Sequence, residues 1–269
     1  MLINAVDIFL RHNTSMQLSV VIITYNEEKN LGRCLESVRR IADEIIVVDS
    51  NSTDKTVEIA EQYGAKVFQH PFEGYVKQKI IATNHATHNW VFTLDADEVV
   101  TPELEQSILA TKTGNNLDAY KIARITNYCG KWIKHSGWYP DYITRLFDRT
   151  KGQWHGGNIH EHWELDNKVE IGLLGGHLLH YSYPTISSHI GKIEKFTELS
   201  ARDAVARGKD CSLLKVLLVP GWNFFVTYIL KLGILDGYYG FIICKLDSYV
   251  SFIKYAKIRQ YAAEKRRNS

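Results

Sequence analysis

Trp90-Val91-Phe92-Thr93-Leu94-Asp95-Ala96-Asp97-Glu98 is the stretch whose reading decides the fold. A short apolar run with the character of a buried strand stops abruptly in three carboxylates within four residues. In open α/β sheets the C-terminal mouth of a strand is where ligands bind. Asp95 and Asp97, separated by one small residue, point the same way from an extended backbone. Two convergent carboxylates repel each other unless a cation joins them. Mg²⁺ or Mn²⁺ held by one or two carboxylates plus substrate phosphates is the expected arrangement. A plain strand-to-helix turn, with Thr101-Pro102-Glu103 opening the next helix, would explain the same residues without a ligand.

Outward from this stretch, Leu18–Thr24 (LSVVIIT) and residues 44–48 (EIIVV) are β-branched runs suited to strands buried on both faces. After the first, Tyr25-Asn26-Glu27-Glu28 turns the chain, and Asn26 is the predicted cap of a helix reaching about Arg40. After the second, Asp49-Ser50-Asn51-Ser52-Thr53-Asp54 leads into a helix to Tyr63, with Gly64 just past its end. A short strand over 65–69 and a helix over 75–86 follow. Strands alternating with helices predict βαβ crossovers and a parallel sheet. The turns hold neither G-x-G-x-x-G nor G-x-x-x-x-G-K-[ST], which argues against dinucleotide enzymes and P-loop phosphotransferases. They hold carboxylates and amides instead: Asn26 and Glu27, Asp49 and Asp54, Asp95 and Asp97. Such groups suit the base and ribose of a nucleotide whose phosphates a metal handles.

The chain of 269 residues is 45% hydrophobic and 23% charged, which describes one large globular domain or one domain with an appendage. A net charge of +2 argues against a nucleic-acid partner. Cys34, Cys129, Cys211 and Cys244 are far apart and form no C-x-x-C pair, so neither zinc nor a disulfide framework is expected and a reducing cytosol is. Residues 1–10 lack the basic start and cleavage site of a signal peptide. Met16 stands directly before the first strand and is the expected natural start, with 1–15 an upstream extension.

The turns and their spacing resemble the inverting family 2 glycosyltransferases of GT-A fold: Tyr25-Asn26-Glu27, Val48-Asp49-Ser50-x-Ser52-Thr53-Asp54 and Asp95-Ala96-Asp97. The likeness continues through Gly74-Tyr75-x-x-Gln78-Lys79, Gly137-Trp138-Tyr139-Pro140-Asp141, Arg145-Leu146-Phe147, His160-Glu161, Leu179-His180-Tyr181-Ser182-Tyr183 and Leu235-Asp236-Gly237. That wider set, spanning nearly all of 18–260, is similar to the lipopolysaccharide inner-core β-1,4-glucosyltransferase subgroup. The resemblance implies an α/β fold: a Rossmann-like, mostly parallel central sheet flanked by helices. It implies that Asp49 holds a uracil ring and that Thr24, Asn26 and Glu27 line the nucleoside. Gln78 and Lys79, in the first turns after Gly74, suit diphosphate oxygens, although a solvated basic helix face would read the same way. Asp97 would hold the metal and stabilise charge on a departing UDP. Asp95 would hold the ribose or share the metal, and His180 matches the family's metal-associated histidine.

From about 118 aromatic residues crowd in: Tyr128, Trp132, Trp138, Tyr139, Tyr142, Trp154 and Trp163. Flat aromatics suit sugar faces, but a buried core explains most of them equally well. The proline-containing 137–141 loop reads as acceptor-facing, so Trp138, Tyr139, Asp141, Arg145 and His160 are assigned to the acceptor side. Residues 155–162 (HGGNIHEH) lack the helical H-E-x-x-H of a zinc protease. Inverting transfer needs one base to take the acceptor proton, and a carboxylate in hydrogen-bond reach suffices. The resemblance places an acid here, which makes Glu161 the expected base, with His160 orienting it and Asp141 and Glu164 next in line.

Residues 216–230 form a 15-residue uncharged stretch between Lys215 and Lys231, broken by Pro220-Gly221. At ~1.5 Å per residue it falls short of a ~30 Å hydrocarbon core. Residues 232–244 are apolar but contain Asp236, and 245–269 carry seven Lys/Arg against two Asp/Glu, a net +5. Apolar aromatic helices followed by basic ones describe an interfacial anchor on an anionic membrane face; packing on the catalytic domain is the alternative. The expected organisation is an extension (1–15), a catalytic domain (16–210, with a nucleotide-sugar half 16–112 and an acceptor half 113–210) and an amphipathic, basic helical segment (211–269). The expected activity is metal-dependent inverting transfer, with Mg²⁺ or Mn²⁺, of glucose from a UDP-sugar to a lipid-linked saccharide. Its expected place is the inner face of the cytoplasmic membrane. A polyprenyl-phosphate sugar synthase shares the turn motifs, and a silent sugar- or nucleotide-binding protein would keep the fold.

Overall fold

The computed structural model describes residues 16–114, 117–156, 161–166 and 169–268. β1 (Leu18–Thr24), α1 (Leu31–Val38), β2 (Glu44–Asp49), α2 (Thr56–Gln62), β3 (Lys66–Gln69), α3 (Tyr75–His85) and β4 (Trp90–Asp95) alternate as the turn chemistry predicts. β1 lies between β2 and β4 and runs parallel to both, with Thr24 opposite Asp49 and Ile23 opposite Asp95. The three carboxylate-bearing turns therefore leave the sheet at the same end.

After β4 come β5 (Glu98–Val100), α4 (Pro102–Thr113), β6 (Ala119–Tyr128), β7 (Lys131–Trp132) and β8 (Asp141–Asp148). β9 (Gly152–His155), β10 (His162–Leu165), β11 (Ile171–Tyr183), α5 (Ile186–Ala206), α6 (Leu213–Phe225), a π-turn over Val226–Leu230, a 3₁₀ turn over Gly233–Asp236 and α7 (Gly237–Asn268) complete the chain. The sheet order is β3-β2-β1-β4-β8-β6-β11-β5, with β7 on β6 and β9–β10 a separate hairpin. β8 is antiparallel to β4, so a mixed half continues the parallel one.

The described residues divide into two compact units, one drawn from 16–123, 142–156 and 161–178, the other from 124–141 and 179–268. In the first, alternate residues of β1 face opposite ways. Leu18, Val20 and Ile22 pack with Leu31, Leu35 and Val38 of α1 and Leu104 and Ile108 of α4. Val21 packs with Ile46, Val48, Ala82, Phe147, Trp154 and Trp163 on the other face. Trp163 stacks on Phe147 at 3.9 Å, so these two tryptophans belong to the core, as the plainer reading of the aromatics has it.

In the second unit Tyr128 is fully buried and is ringed by Trp138, Tyr183, His189 and Tyr239. α5, α6 and α7 share a small core of Ala201, Ala204, Val205, Val216, Ile258 and Ala262. Val216 is the one residue of α6 buried in the chain.

Two expectations change. α1 starts at Leu31 rather than after Asn26, because Asn26 adopts a left-handed conformation (φ 53°) and spends its side chain on the neighbouring turn. The apolar stretch near 216–230 is longer than the uncharged run: helical structure is continuous over Leu213–Leu230, 18 residues, long and apolar enough to cross a membrane by length and composition.

Candidate active site

The first two turns are stitched together. Asn26 N–H donates to Ser52 Oγ at 2.8 Å, Thr53 N–H donates to Asn26 Oδ1 at 2.8 Å, and Glu27 N–H donates to Thr56 Oγ1 at 2.8 Å. Asp49 is buried, and both its oxygens accept from Ser52, from the backbone N–H at 2.8 Å and from the hydroxyl at 2.5 Å. This is the turn-capping role; each carboxylate oxygen can still accept a second bond. Thr24 Oγ1, at the end of β1, is buried with no partner among the described residues.

Gln78 and Lys79 are no solvated face. Gln78 is fully buried and donates to Ser50 Oγ at 2.7 Å and to the His70 carbonyl at 3.2 Å, while its Oε1 has no partner among the described residues. Lys79, with a side chain 2% exposed, places Nζ 3.2 Å from Asp95 Oδ1 and 3.1 Å from Glu161 Oε1. A buried ammonium is costly unless carboxylates offset its desolvation, and here two do. Nζ also lies 5.4 Å from the centre of the Trp154 ring.

Asp95 is held from the other side by Arg145, whose Nη2 donates to Asp95 Oδ2 at 2.8 Å and to Glu98 Oε1 at 2.7 Å. Glu98 in turn accepts the Asp95 N–H on Oε2 at 3.0 Å. Burial works against the Arg145 charge, but Asp95 and Glu98 outweigh it and hold the guanidinium above its ordinary value. Arg145 is thus a buried counterion beneath the acidic turn, and its assignment to the acceptor side is withdrawn.

Four carboxylates (Asp95, Asp97, Glu98 and Glu161) gather here around two cations, Lys79 and Arg145. Among the described residues these acids outnumber the two cations, and a divalent cation would offset them. Among the described residues no group of three His, Cys, Asp or Glu side chains is set to hold a metal. The donor set therefore fits a cation that arrives on a diphosphate and needs one or two protein carboxylates, and does not fit a resident all-protein site. Asp95 meets two positive charges, Lys79 and Arg145. His180 lies on β11 in the second unit.

Of the remaining acceptor-side assignments, Asp141 accepts from Arg124 Nε at 3.0 Å and Nη2 at 2.7 Å. Trp138 turns its indole into the aromatic cluster, with Nε1 donating to Asp247 at 3.2 Å, so it is no open sugar platform. Tyr139 precedes the cis Pro140. His160 lies outside the described residues.

Sequence reasoning passed over three neighbours of the acidic turn. Glu98, one of the three acids that end the strand but assigned no role, is fully buried. Cys34 is buried behind the turn, and burial, followed by the charges of Glu98, Asp97 and Asp95, pushes its thiol well up. Tyr75 opens α3, and burial, then Asp95, Glu161 and Asp97, push its phenol up. The spacing Tyr75-x-x-x-Lys79, one helical turn, was the signal available for Tyr75.

The chain matches the model of "Glycosyl transferase family 2" over residues 19–165. It is 30% identical to the lipopolysaccharide core biosynthesis glycosyltransferase LpsC of Rhizobium meliloti, over 94% of this chain and 95% of that one. It is 31% identical to an uncharacterised glycosyltransferase of Rickettsia typhi, over 93% of this chain and 89% of the relative. Among solved structures it is similar to glucosyl-3-phosphoglycerate synthase of Mycobacterium tuberculosis, with 21% identity and a TM-score of 0.37 over 47% of this chain and 50% of that one.

Proposed function

Because the chain belongs to the family 2 glycosyltransferases, we propose that it moves a hexose, glucose in our reading, from a UDP-sugar to a lipid-linked saccharide of the lipopolysaccharide core or a related envelope glycan. The observation that carries this reading is the buried ammonium of Lys79, shared between Asp95 of the acidic turn and Glu161.

In this reading Thr24, Asn26, Glu27 and Asp49 receive the nucleoside. Asp97 holds Mg²⁺ or Mn²⁺, which when bound stabilises negative charge on the departing diphosphate. Asp95, fixed by Lys79 and Arg145, is left to hydrogen-bond the ribose. Glu161 takes the proton of the acceptor hydroxyl as that oxygen attacks C1 from the face opposite the diphosphate, and the C1–O bond to phosphate breaks with inversion. Lys79 ties Glu161 to Asp95, so the base keeps its distance from the donor end without a moving part.

Residues 16–210 form the catalytic part, and 211–269 set it against the anionic inner face of the cytoplasmic membrane. Leu213, Leu214, Leu217, Leu218, Trp222 and Phe225 of α6 are all exposed, and a contiguous apolar surface of this kind marks an interaction site. A screen of nucleotide-sugars with Mn²⁺, read by thermal shift and by release of UDP, tests the activity. UDP-glucose should give the largest stabilisation and slow UDP release. Stabilisation by no UDP-sugar, or by a GDP- or CMP-sugar instead, overturns the donor.

A further inference from the structure

We infer that Tyr75 binds the sugar being transferred, its phenolic hydroxyl donating a hydrogen bond to a ring hydroxyl of the donor hexose; this rests on the donor reading above. Gly74, at φ 113°, ends the preceding loop in a conformation open to glycine, and Tyr75 is the first residue of α3. Residues four apart on a helix are neighbours, so Tyr75 stands beside Lys79, which bonds both Asp95 and Glu161.

An inverting displacement puts the leaving diphosphate and the attacking hydroxyl on opposite faces of C1. A side chain one helical turn from Lys79, which bonds both Asp95 and Glu161, stands beside the space between them, where the hexose would sit. Tyr75 is such a side chain, and burial, followed by the charges of Asp95, Glu161 and Asp97, pushes its phenol up, so that the hydroxyl stays a donor. Its ring is set edge-on against Phe72 at 5.0 Å and 75°. Among the described residues this half-buried hydroxyl has no hydrogen-bond partner. The other groups converging here are carboxylates, which only accept, or the cations already bonded to them. The Tyr75 hydroxyl adds a neutral donor to these charged groups.

The test is calorimetry on the full-length protein with Mn²⁺, using UDP and UDP-glucose as separate probes. Tyr75→Phe should leave UDP affinity within about twofold and weaken UDP-glucose roughly 3- to 10-fold, the range of one neutral hydrogen bond. Tyr75→Ala should weaken UDP-glucose further, again sparing UDP. Unchanged UDP affinity also reports that the variant is folded. Equal weakening of both probes, or of neither, overturns the assignment while the donor reading stands. A wild type that binds neither probe brings down the donor reading and Tyr75 with it.

Discussion

Lys79 Nζ stands 3.1 Å from Glu161 Oε1, on a side chain almost wholly buried. The ammonium orients the carboxylate but cannot replace its chemistry. Glu161→Gln keeps the size and hydrogen-bonding reach of the side chain and removes its capacity to take a proton near neutral pH. Transfer should fall about 10²–10⁴-fold while UDP affinity stays nearly intact. A variant that loses donor affinity but keeps its rate at saturation makes Glu161 a binding residue. Full activity instead favours an anionic phosphate acceptor, which hardly needs a base.

Arg145 should matter to stability as much as to activity. Arg145→Met leaves Asp95 and the fully buried Glu98 without their shared counterion. Stranding buried charge in this way costs about 3–5 kcal/mol, and urea denaturation should show it. A double variant, Arg145→Met with Glu98→Gln, should recover part of that loss. If the single variant is as stable as wild type, the buried network is not under the electrostatic load inferred here.

The parallel half of the fold was legible because β-branched runs and polar turns repeat in it with little interference. Asp95 and Asp97 were legible for the same reason, as acids stranded at the end of an apolar run. Arg145 was not, because its partners depend on β8 lying next to β4, a sheet order that crosses some fifty residues of chain and leaves no local trace. Asn26 misled because a good helix cap is also a good bridging amide, and the neighbouring turn at Thr53 claimed it. Trp138 misled because its loop carries the proline and glycine of an exposed segment, whereas its indole is drawn inward by Asp247 and Tyr128.

Metal dependence should separate Asp97 from Asp95. Wild-type protein should bind UDP far more tightly with Mn²⁺ than with EDTA, and Asp97→Asn should remove most of that difference. Asp95→Asn should keep it, because Asp95 is already engaged by Lys79 and Arg145. Calorimetry in which EDTA makes no difference to the wild type would end the metal role.

Two titrations around the Trp138 indole should oppose each other. Burial, then Lys192, push His189 down to about 4. The unfolded chain takes up that proton below about 6.5, so this stability is present above 6.5 and is lost as pH falls towards 4. Burial pushes Asp247 up to about 6. The unfolded chain releases that proton first, so stability falls as pH rises from about 4 to 6. Either effect is at most about 3 kcal/mol, less for the partly exposed Asp247. Relative to wild type, His189→Asn should lose stability as pH rises over this window and Asp247→Asn should gain it. Denaturation profiles parallel to wild type for both variants would show that neither group titrates as its surroundings imply.

Attachment to membranes should depend more on apolar contact than on the basic tail. Part of that tail is already spent: Lys257 pairs with Glu194 at 2.8 Å and Glu198 at 3.3 Å, and Arg266 pairs with Asp210. On α6, by contrast, Leu214, Leu217, Leu218 and Trp222 recur at helical spacing and are 68%, 61%, 67% and 63% exposed. Burying such a side chain contributes about 1.5–3 kcal/mol, so replacing Leu217, Leu218 and Trp222 together by Ser should release the protein from anionic vesicles. Raising the salt should weaken wild-type binding only modestly, since screening acts on the charges and not on the apolar face. Alkaline carbonate should strip the wild type from vesicles, because an interfacial helix lacks the hold of a spanning one. Retention after carbonate would mean that the 18-residue helix crosses the bilayer. Complete release by salt alone would return the anchor to the basic tail, and protein that stays in the supernatant with vesicles at low salt would remove the membrane from the proposal.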